Sequence, residues 1–187
     1  MHSLINAIWL VIGLWWAFTA LRTKRAVKAQ KPSSRLVPVA LLASGAMLLF
    51  SPWPAFDSLG WRWLAVSLPT AVLGLLLTAV GALLAIAART RLGGNWSAAA
   101  VIKEGHELVS SGPYAWVRHP MYCGAFLAAA GTAFASGELR GVIALPLLLT
   151  GFWLKARAEE RLLEQEFGAR YDAYRHRVPG RILPAIL

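Results

Sequence analysis

Residues 64–88 read LAVSLPTAVLGLLLTAVGALLAIAA, twenty-five positions without a charged side chain. At about 1.5 Å rise per residue a helix of that length covers about 37 Å, more than the roughly 30 Å of a bilayer's hydrocarbon core. Working outward, the pattern repeats. Residues 4–21 form an uncharged run of 18, and residues 36–56 an uncharged run of 21 with prolines near its ends. Residues 121–136 give 16 positions. After a short turn at Gly137–Glu138, residues 139–154 give 16 more, with Arg140 near their start. The last two runs cover only about 24 Å each, so they read as a tight helical hairpin, either crossing or re-entrant. Residues 1–20 carry no Lys or Arg ahead of the first run, and the basic cluster follows it. A cleaved signal needs the opposite arrangement, so the first run is expected to be a retained span.

Composition agrees with this reading. The chain has 187 residues, 57% hydrophobic and 15% charged, with nine Trp and a net charge of +10. A soluble domain carries about 25% charged residues to cover its core, so a water-soluble enzyme and a disordered chain are both disfavoured. Tryptophan suits the interfaces of a membrane. A single cysteine, Cys123, leaves no intramolecular disulfide and no Cys-rich metal site. The four histidines, at 2, 106, 119 and 176, are scattered, so a metal mechanism is not expected. Gly93–Gly94 is an isolated pair and not a phosphate-cradling loop.

Basic residues fall unevenly between the runs. Residues 22–35, 89–120 and the tail from 155 hold 17 of the 19 Lys and Arg; Arg62 and Arg140 are the other two. Five crossings place all three basic regions on one face. By the positive-inside rule the N-terminus is then outside, and the C-terminus with the long loop is cytoplasmic. The positive charge is assigned to topology and to anionic headgroups. Nucleic-acid binding fits less well, because the basic residues are dispersed and carry no recognition motif. The expected fold is therefore all-α: a polytopic integral membrane protein of about five transmembrane helices, with a C-terminal helical hairpin and a cytoplasmic helical tail.

Two cytoplasmic regions are more than connectors. Residues 89–120 are rich in turn formers but also hold His106, Tyr114, Trp116, Arg118 and His119. Aromatic content argues for an ordered loop, and loops of this length are usually functional or disordered. Pro113 and Pro120 fix their own φ and bias the preceding residues towards extended backbone. Pro120 suits the first turn of a helix, which puts His119 at that helix's mouth, where free N–H groups favour a carboxylate. Arg118 and His119 read equally well as interfacial residues reaching for the headgroups. In the tail, Leu162, Leu163, Phe167, Tyr171 and Tyr174 recur at helical spacing, so it is expected to continue the fifth helix, with Gly168 tolerated. In its first turn Lys155 and Glu159 share a face at i, i+4, and Glu160 lies near Arg157. Such charges at a bilayer edge either pair for stability or line a cavity.

At this point the chain resembles a known family. The string GHELVSSGPYAWVRHPMYCG at residues 105–124 is similar to the signature of the isoprenylcysteine carboxyl methyltransferases. So is the downstream pair Glu159–Glu160, followed by Phe167–Gly168, Tyr171, Tyr174 and Val178–Pro179. The resemblance covers about residues 95–184. It implies a membrane-embedded helical methyltransferase that uses S-adenosylmethionine and releases S-adenosylhomocysteine. It divides the chain into a scaffold at residues 1–90 and a methyltransferase core at residues 91–187. It also implies that His106, Glu107, Leu108, Val109 and Tyr114 contact the cofactor, that His119, Pro120, Met121 and Tyr122 form another wall, and that Glu159 binds the cofactor's ammonium. In the family's eukaryotic members an arginine one turn before that glutamate contacts the acceptor. Here the position is Lys155, with Arg157 two residues later, a departure that bears on the acceptor because lysine lacks the planar fork suited to a carboxylate.

The implied chemistry asks little of the protein. A carboxylate acceptor is ionised at neutral pH, so alignment and exclusion of water are enough, with Lys155 or Arg157 holding the acceptor. An amine acceptor would need a base, for which His119 and Glu160 are the candidates. The resemblance makes a prenylated cysteine carboxylate the expected acceptor, with a small isoprenoid or thiol and a phospholipid amine as the alternatives. All are lipophilic and would enter from the bilayer. A nicotinamide-dependent sterol-type reductase has a similar C-terminal pattern but a much longer chain. An inactive homologue is the remaining reading, against which His119, Tyr122 and Glu159 speak.

Overall fold

The computed structural model describes residues 2–29, 32–50 and 61–184. Its helices are α1 (His2–Ala20), α2 (Leu36–Phe50), α3 (Leu68–Leu92), α4 (Pro120–Ser136), α5 (Leu139–Phe167) and α6 (Ala169–Arg177), with two short strands, β1 (Ala26–Ala29) and β2 (Val101–Lys103). Helices α1, α3 and α5 are each long and apolar enough to cross a membrane. Helix α2 is shorter, and the remainder of the second apolar run, residues 51–56, lies outside the described residues. Large apolar side chains such as Leu10, Leu14, Leu76 and Leu83 point outward and are more than half exposed. Apolar surface on that scale is covered by lipid. The chain is an all-α integral membrane protein, as its sequence predicts.

Helix boundaries follow from local chemistry. Ser67 caps α3: its hydroxyl accepts from the Thr70 amide at 3.5 Å while Thr70 Oγ1 accepts from the Ser67 amide at 2.9 Å. Such reciprocal bonding satisfies two donors that a helix start leaves free, and Pro69 fits the first turn. Helix α3 ends where Gly93 turns to φ +57 and its N–H donates to the Arg89 carbonyl. Helix α4 ends at Gly137, φ +64, where a Cβ would stand 2.5 Å from the Leu64 carbonyl oxygen. Only glycine fits that left-handed turn.

The centre of the molecule is the antiparallel pair α3–α4. Its seam is made of small residues at matching intervals: Gly74, Thr78, Gly81 and Ala85 on one helix, Gly124, Ala128, Gly131 and Ala135 on the other. A Cβ on Gly81 would lie 2.4 Å from the Ala128 nitrogen, and one on Gly131 2.5 Å from the Thr78 nitrogen. In a lipid environment helices associate through such close packing, because burial of apolar surface gives no preference. Within the seam, the Thr78 hydroxyl lies 2.9 Å from the Gly74 carbonyl oxygen, 3.3 Å from that of Ala128 and 3.4 Å from Thr132 Oγ1. Trp9 on α1 donates to Thr132 Oγ1 at 3.0 Å. Helix α5 meets α2 by the same device, with Leu148 seated over Gly45 and Leu42 over Gly151.

At one end of the helices β1 pairs antiparallel with β2, and Lys24 Nζ donates to the Gly105 carbonyl at 2.9 Å. At the other end Trp63 N–H donates to Gly137 and Leu139 N–H to Trp61. The described connections therefore lie at two ends of the bundle, as alternating helices require. In the tail the structure departs from the expected continuous helix. Helix α5 stops at Phe167, because Gly168 adopts φ +48. The chain turns there into α6, which buries Tyr171 and Tyr174 beside Val178, against Leu108, Leu163 and Phe167. Glycine's freedom at positive φ makes Gly168 a corner and not a tolerated interruption.

Candidate functional site

A cleft of about 800 Å³, counting space open to solvent, lies between the 92–114 loop, the start of α4, the C-terminal half of α5, and α6. Of the residues expected to meet a cofactor, His106, Glu107, Leu108, Val109, Tyr114, His119, Met121, Tyr122 and Glu159 all line it. Pro120 does not; it is buried as the first residue of α4. Lys155, Arg157 and Glu160 are not on the lining either.

Local structure explains this placement. The 3₁₀ turn of Gly112–Ala115 is pinned when the Tyr174 hydroxyl donates to the Tyr114 carbonyl at 2.8 Å, while the Tyr114 hydroxyl donates to Ala88 at 3.4 Å. Burial raises the Tyr114 phenol well above its ordinary pKa and pushes that of Tyr174 up to about 12, so both remain donors. His106 Nδ1 accepts from the Lys103 amide at 3.3 Å, which leaves Nε2 as its donor. Burial, then the nearby Lys24 ammonium, lowers its pKa and keeps the ring neutral.

His119 sits between two carboxylates: Nδ1 is 3.5 Å from Glu159 Oε2 and Nε2 is 3.3 Å from Glu160 Oε1. Burial acts to lower its pKa, but hydrogen bonds and charge from Glu159 and Glu160 outweigh that and raise it. Both ring nitrogens of His119 thus face a carboxylate, an arrangement that favours the protonated ring. Its ring stacks on Tyr122 at 5.4 Å and 3°, and Tyr122 stacks in turn on Phe152 at 5.3 Å and 16°. The Tyr122 hydroxyl donates to Glu159 Oε1 at 2.5 Å, and Lys155 Nζ lies 5.2 Å from the Tyr122 ring centroid. Glu159 is fixed from two sides yet its side chain keeps 23% exposure, so a carboxylate edge remains available in the cleft.

Glu160, one residue on, points elsewhere, since successive helical positions differ by about 100°. It is 4% exposed and accepts from Arg118 Nε at 2.8 Å and from Arg181 Nε and NH2 at 2.9 Å each. Arg118 also donates to the carbonyls of Val178 and Pro179 at 2.7 and 2.6 Å. Its backbone N–H donates to Gly180 and that of His119 to Arg181. The cluster clamps residues 178–181 onto the cleft's floor. Arg157 lies over Trp153, on a second hollow shared with Glu160, Arg161, Glu164, Arg175 and Arg181. The adjacent pair Glu159–Glu160 therefore separates into one group on the cleft and one inside an ion cluster. Sequence reasoning did not single out Asn95, Trp96, Tyr171 and Tyr174 as lining, although the turn formers around Asn95 and the helical spacing of the tyrosines were visible.

Comparison with known proteins gives this geometry a family. Residues 69–170 match the model of the phospholipid methyltransferase (PEMT) family. Protein-S-isoprenylcysteine O-methyltransferase of Schizosaccharomyces pombe is 40% identical over 78 residues, which are 41% of this chain and 33% of that protein. The Homo sapiens protein of the same name is 33% identical over 130 residues, 68% of this chain and 43% of that one. The chain thus spans less than half the length of these relatives. A solved structure of the eukaryotic intramembrane Ras methyltransferase ICMT superposes with a TM-score of 0.53 at 26% identity, covering 86% of this chain and 55% of that one. The chain belongs to the phospholipid methyltransferase family and resembles the isoprenylcysteine carboxyl methyltransferases.

Proposed function

We propose that this protein is an S-adenosylmethionine-dependent methyltransferase that esterifies the carboxylate of an isoprenylcysteine-like acceptor held in the membrane. The observation that carries the reading is the state of the two candidate bases. His119 has both ring nitrogens turned to carboxylates, and Glu160 is committed to Arg118, His119 and Arg181. An amine acceptor would need one of them to take a proton; an ionised carboxylate needs neither. This disfavours methylation of a phospholipid amine.

The cleft fits the cofactor. The ligand carries an ammonium and a sulfonium, and the cleft offers the carboxylates of Glu159 and Glu107 with the aromatic rings of Trp96, Tyr114 and Tyr122. When bound, S-adenosylmethionine supplies an activated methyl group. Glu159, fixed by Tyr122 and His119, would hold the ammonium, while His106, Leu108 and Val109 close the loop side and exclude water. Lys155, one helical turn before Glu159, would attract the acceptor's carboxylate, and Arg157 would meet anionic headgroups. Residues 91–187 then form the catalytic core, and residues 1–90 the scaffold. The site faces the cytoplasm, and the N-terminus lies outside.

Calorimetry on the detergent-solubilised protein tests the cofactor: S-adenosylhomocysteine binds and a nicotinamide dinucleotide does not. Glu159→Ala lowers that affinity at least a hundredfold, whereas Lys155→Ala leaves it unchanged and slows transfer to the acceptor. Transfer of a radiolabelled methyl group to an S-prenylated N-acetylcysteine yields a base-labile ester. Label found instead in a base-stable lipid product would refute the carboxylate assignment.

A further inference from the structure

Asn95 lines the cleft, is 9% exposed, and its Oδ1 is buried without a hydrogen-bond partner. Turning the amide over would place Nδ2 at the same enclosed point, so one end of the carboxamide is unsatisfied in either orientation. Buried polar groups are rarely left so, and an unsatisfied carboxamide on a residue that lines a cleft points to a ligand that completes the bonding once the side chain turns towards it. The Tyr171 hydroxyl is also unpartnered on this lining. A hydroxyl serves equally as donor or acceptor, so it identifies no ligand group. Asn95 is more informative, because its surroundings select the partner.

The turn that carries Asn95 is held rigidly. Arg89, 2% exposed, donates to the carbonyls of Gly93 at 2.9 Å and Thr19 at 2.8 Å and lies 4.3 Å from the Trp96 ring centroid. The Lys24 amide donates to Gly94 at 3.0 Å. Next to Asn95 along the chain the lining is mostly apolar or aromatic, with Leu92, Trp96, Ala99 and Val101; the exception, Ser97, already accepts from the Ala99 amide at 3.3 Å. The carboxylates that suit a cation are Glu107 and Glu159, so a neutral carboxamide between flat and apolar walls suits the polar edge of an uncharged heteroaromatic ring. A carboxamide matches the donor–acceptor edge of adenine, accepting from the exocyclic amine and donating to a ring nitrogen.

Resting on the cofactor reading above, we infer that Asn95 is the residue that selects the base of the cofactor by accepting a hydrogen bond from the adenine amine. The test is a cycle of two ligands against two proteins, read by calorimetry and by the ligand-induced rise in thermal midpoint. The ligands are S-adenosylhomocysteine and its 6-deamino purine counterpart; the proteins are wild type and Asn95→Ala. Wild type binds the adenine ligand about tenfold more tightly than the deamino ligand, the scale of one buried acceptor left unpaired. Asn95→Ala binds the two alike. Equal binding of both ligands by wild type overturns the inference. So does an Asn95→Ala protein that still prefers adenine, even if it binds both ligands more weakly, because Asn95 is then merely structural. Failure of wild type to bind either ligand, in a sample that unfolds cooperatively, overturns the cofactor reading itself and this inference with it.

Discussion

Replacing Glu160 by Gln keeps the shape of the side chain and removes its charge. The carboxylate accepts from Arg118 Nε, from two nitrogens of Arg181 and from His119 Nε2. Glutamine keeps one acceptor oxygen and turns an NH₂ towards one of the two guanidinium groups, donor against donor. The Arg118 side chain is 6% exposed and cannot reach water; that of Arg181 is 23% exposed and partly can. Breaking a buried charge pair costs about 3–5 kcal/mol, and relaxation of Arg181 sets the expectation at the lower end, about 3 kcal/mol. For a chain of this size each kcal/mol moves the thermal midpoint by about 2–4 °C, so the drop is roughly 6–12 °C. Differential scanning fluorimetry in a mild detergent measures it. Arg118→Gln, which also frees the carbonyls of Val178 and Pro179, is as damaging, and Arg181→Gln costs only about 1 kcal/mol because its charge is partly solvated. A drop below about 2 °C for Glu160→Gln, or Arg181→Gln as the worst of the three, would refute the view that this cluster clamps the cleft.

Two further outcomes follow from the geometry. Gly81→Val places a Cβ 2.4 Å from the Ala128 nitrogen and must push α3 from α4; the cost exceeds the roughly 1–3 kcal/mol of ordinary overpacking, and the monodisperse yield in detergent falls sharply, while Gly13→Val, at a site with nothing within 4 Å, leaves it unchanged. The raised pKa of His119 makes its protonated form more favourable in the folded state. Its contribution to stability is complete below the unfolded value near 6.5 and is lost as pH rises through the folded value. The wild-type thermal midpoint therefore falls from about pH 6.5 upward, and His119→Gln flattens that slope; an identical slope in both proteins would show that His119 does not carry it.

The membrane fold was legible because its signal is additive: an uncharged run declares a span whatever its partners are. The loop at 89–120 was legible as ordered because aromatics lie among its glycines, and the expected cofactor residues converge on one cleft, Pro120 apart. Three features were not legible. The fate of Glu159 and Glu160 depends on helix phase against neighbours that lie far off in the chain, Arg118 and Arg181. The pairing of β1 with β2 joins segments more than seventy residues apart, and neither is long or apolar enough to announce a strand. Gly168 reads as a tolerated lapse in a helical pattern until the tertiary burial of Tyr171 and Tyr174 makes it a corner. The small-residue seam was in view, since 74, 78, 81, 85 and 124, 128, 131, 135 share one spacing, but it becomes informative only when the two sets are matched.

That shared spacing has a consequence for how the cleft is aligned. Small residues recurring every seven positions are periodic, so steric fit alone would allow α4 to slip along α3 by one heptad, about 10.5 Å, with half of the glycine contacts re-formed. The pair Thr78–Thr132 opposes the slip. The two hydroxyls meet across the seam and Thr132 accepts from Trp9; in a shifted helix each hydroxyl would keep its own-helix carbonyl, Gly74 or Ala128, but their mutual contact would be lost and the Trp9 N–H would lose its acceptor in hydrocarbon. This is the role that a lone polar side chain has in a coiled coil, where it sacrifices stability to fix register. Helix α3 ends at the turn bearing Asn95, and α4 begins at His119. The separation of those two walls of the cleft is thus gauged by a pair of threonines within the bilayer, remote from both.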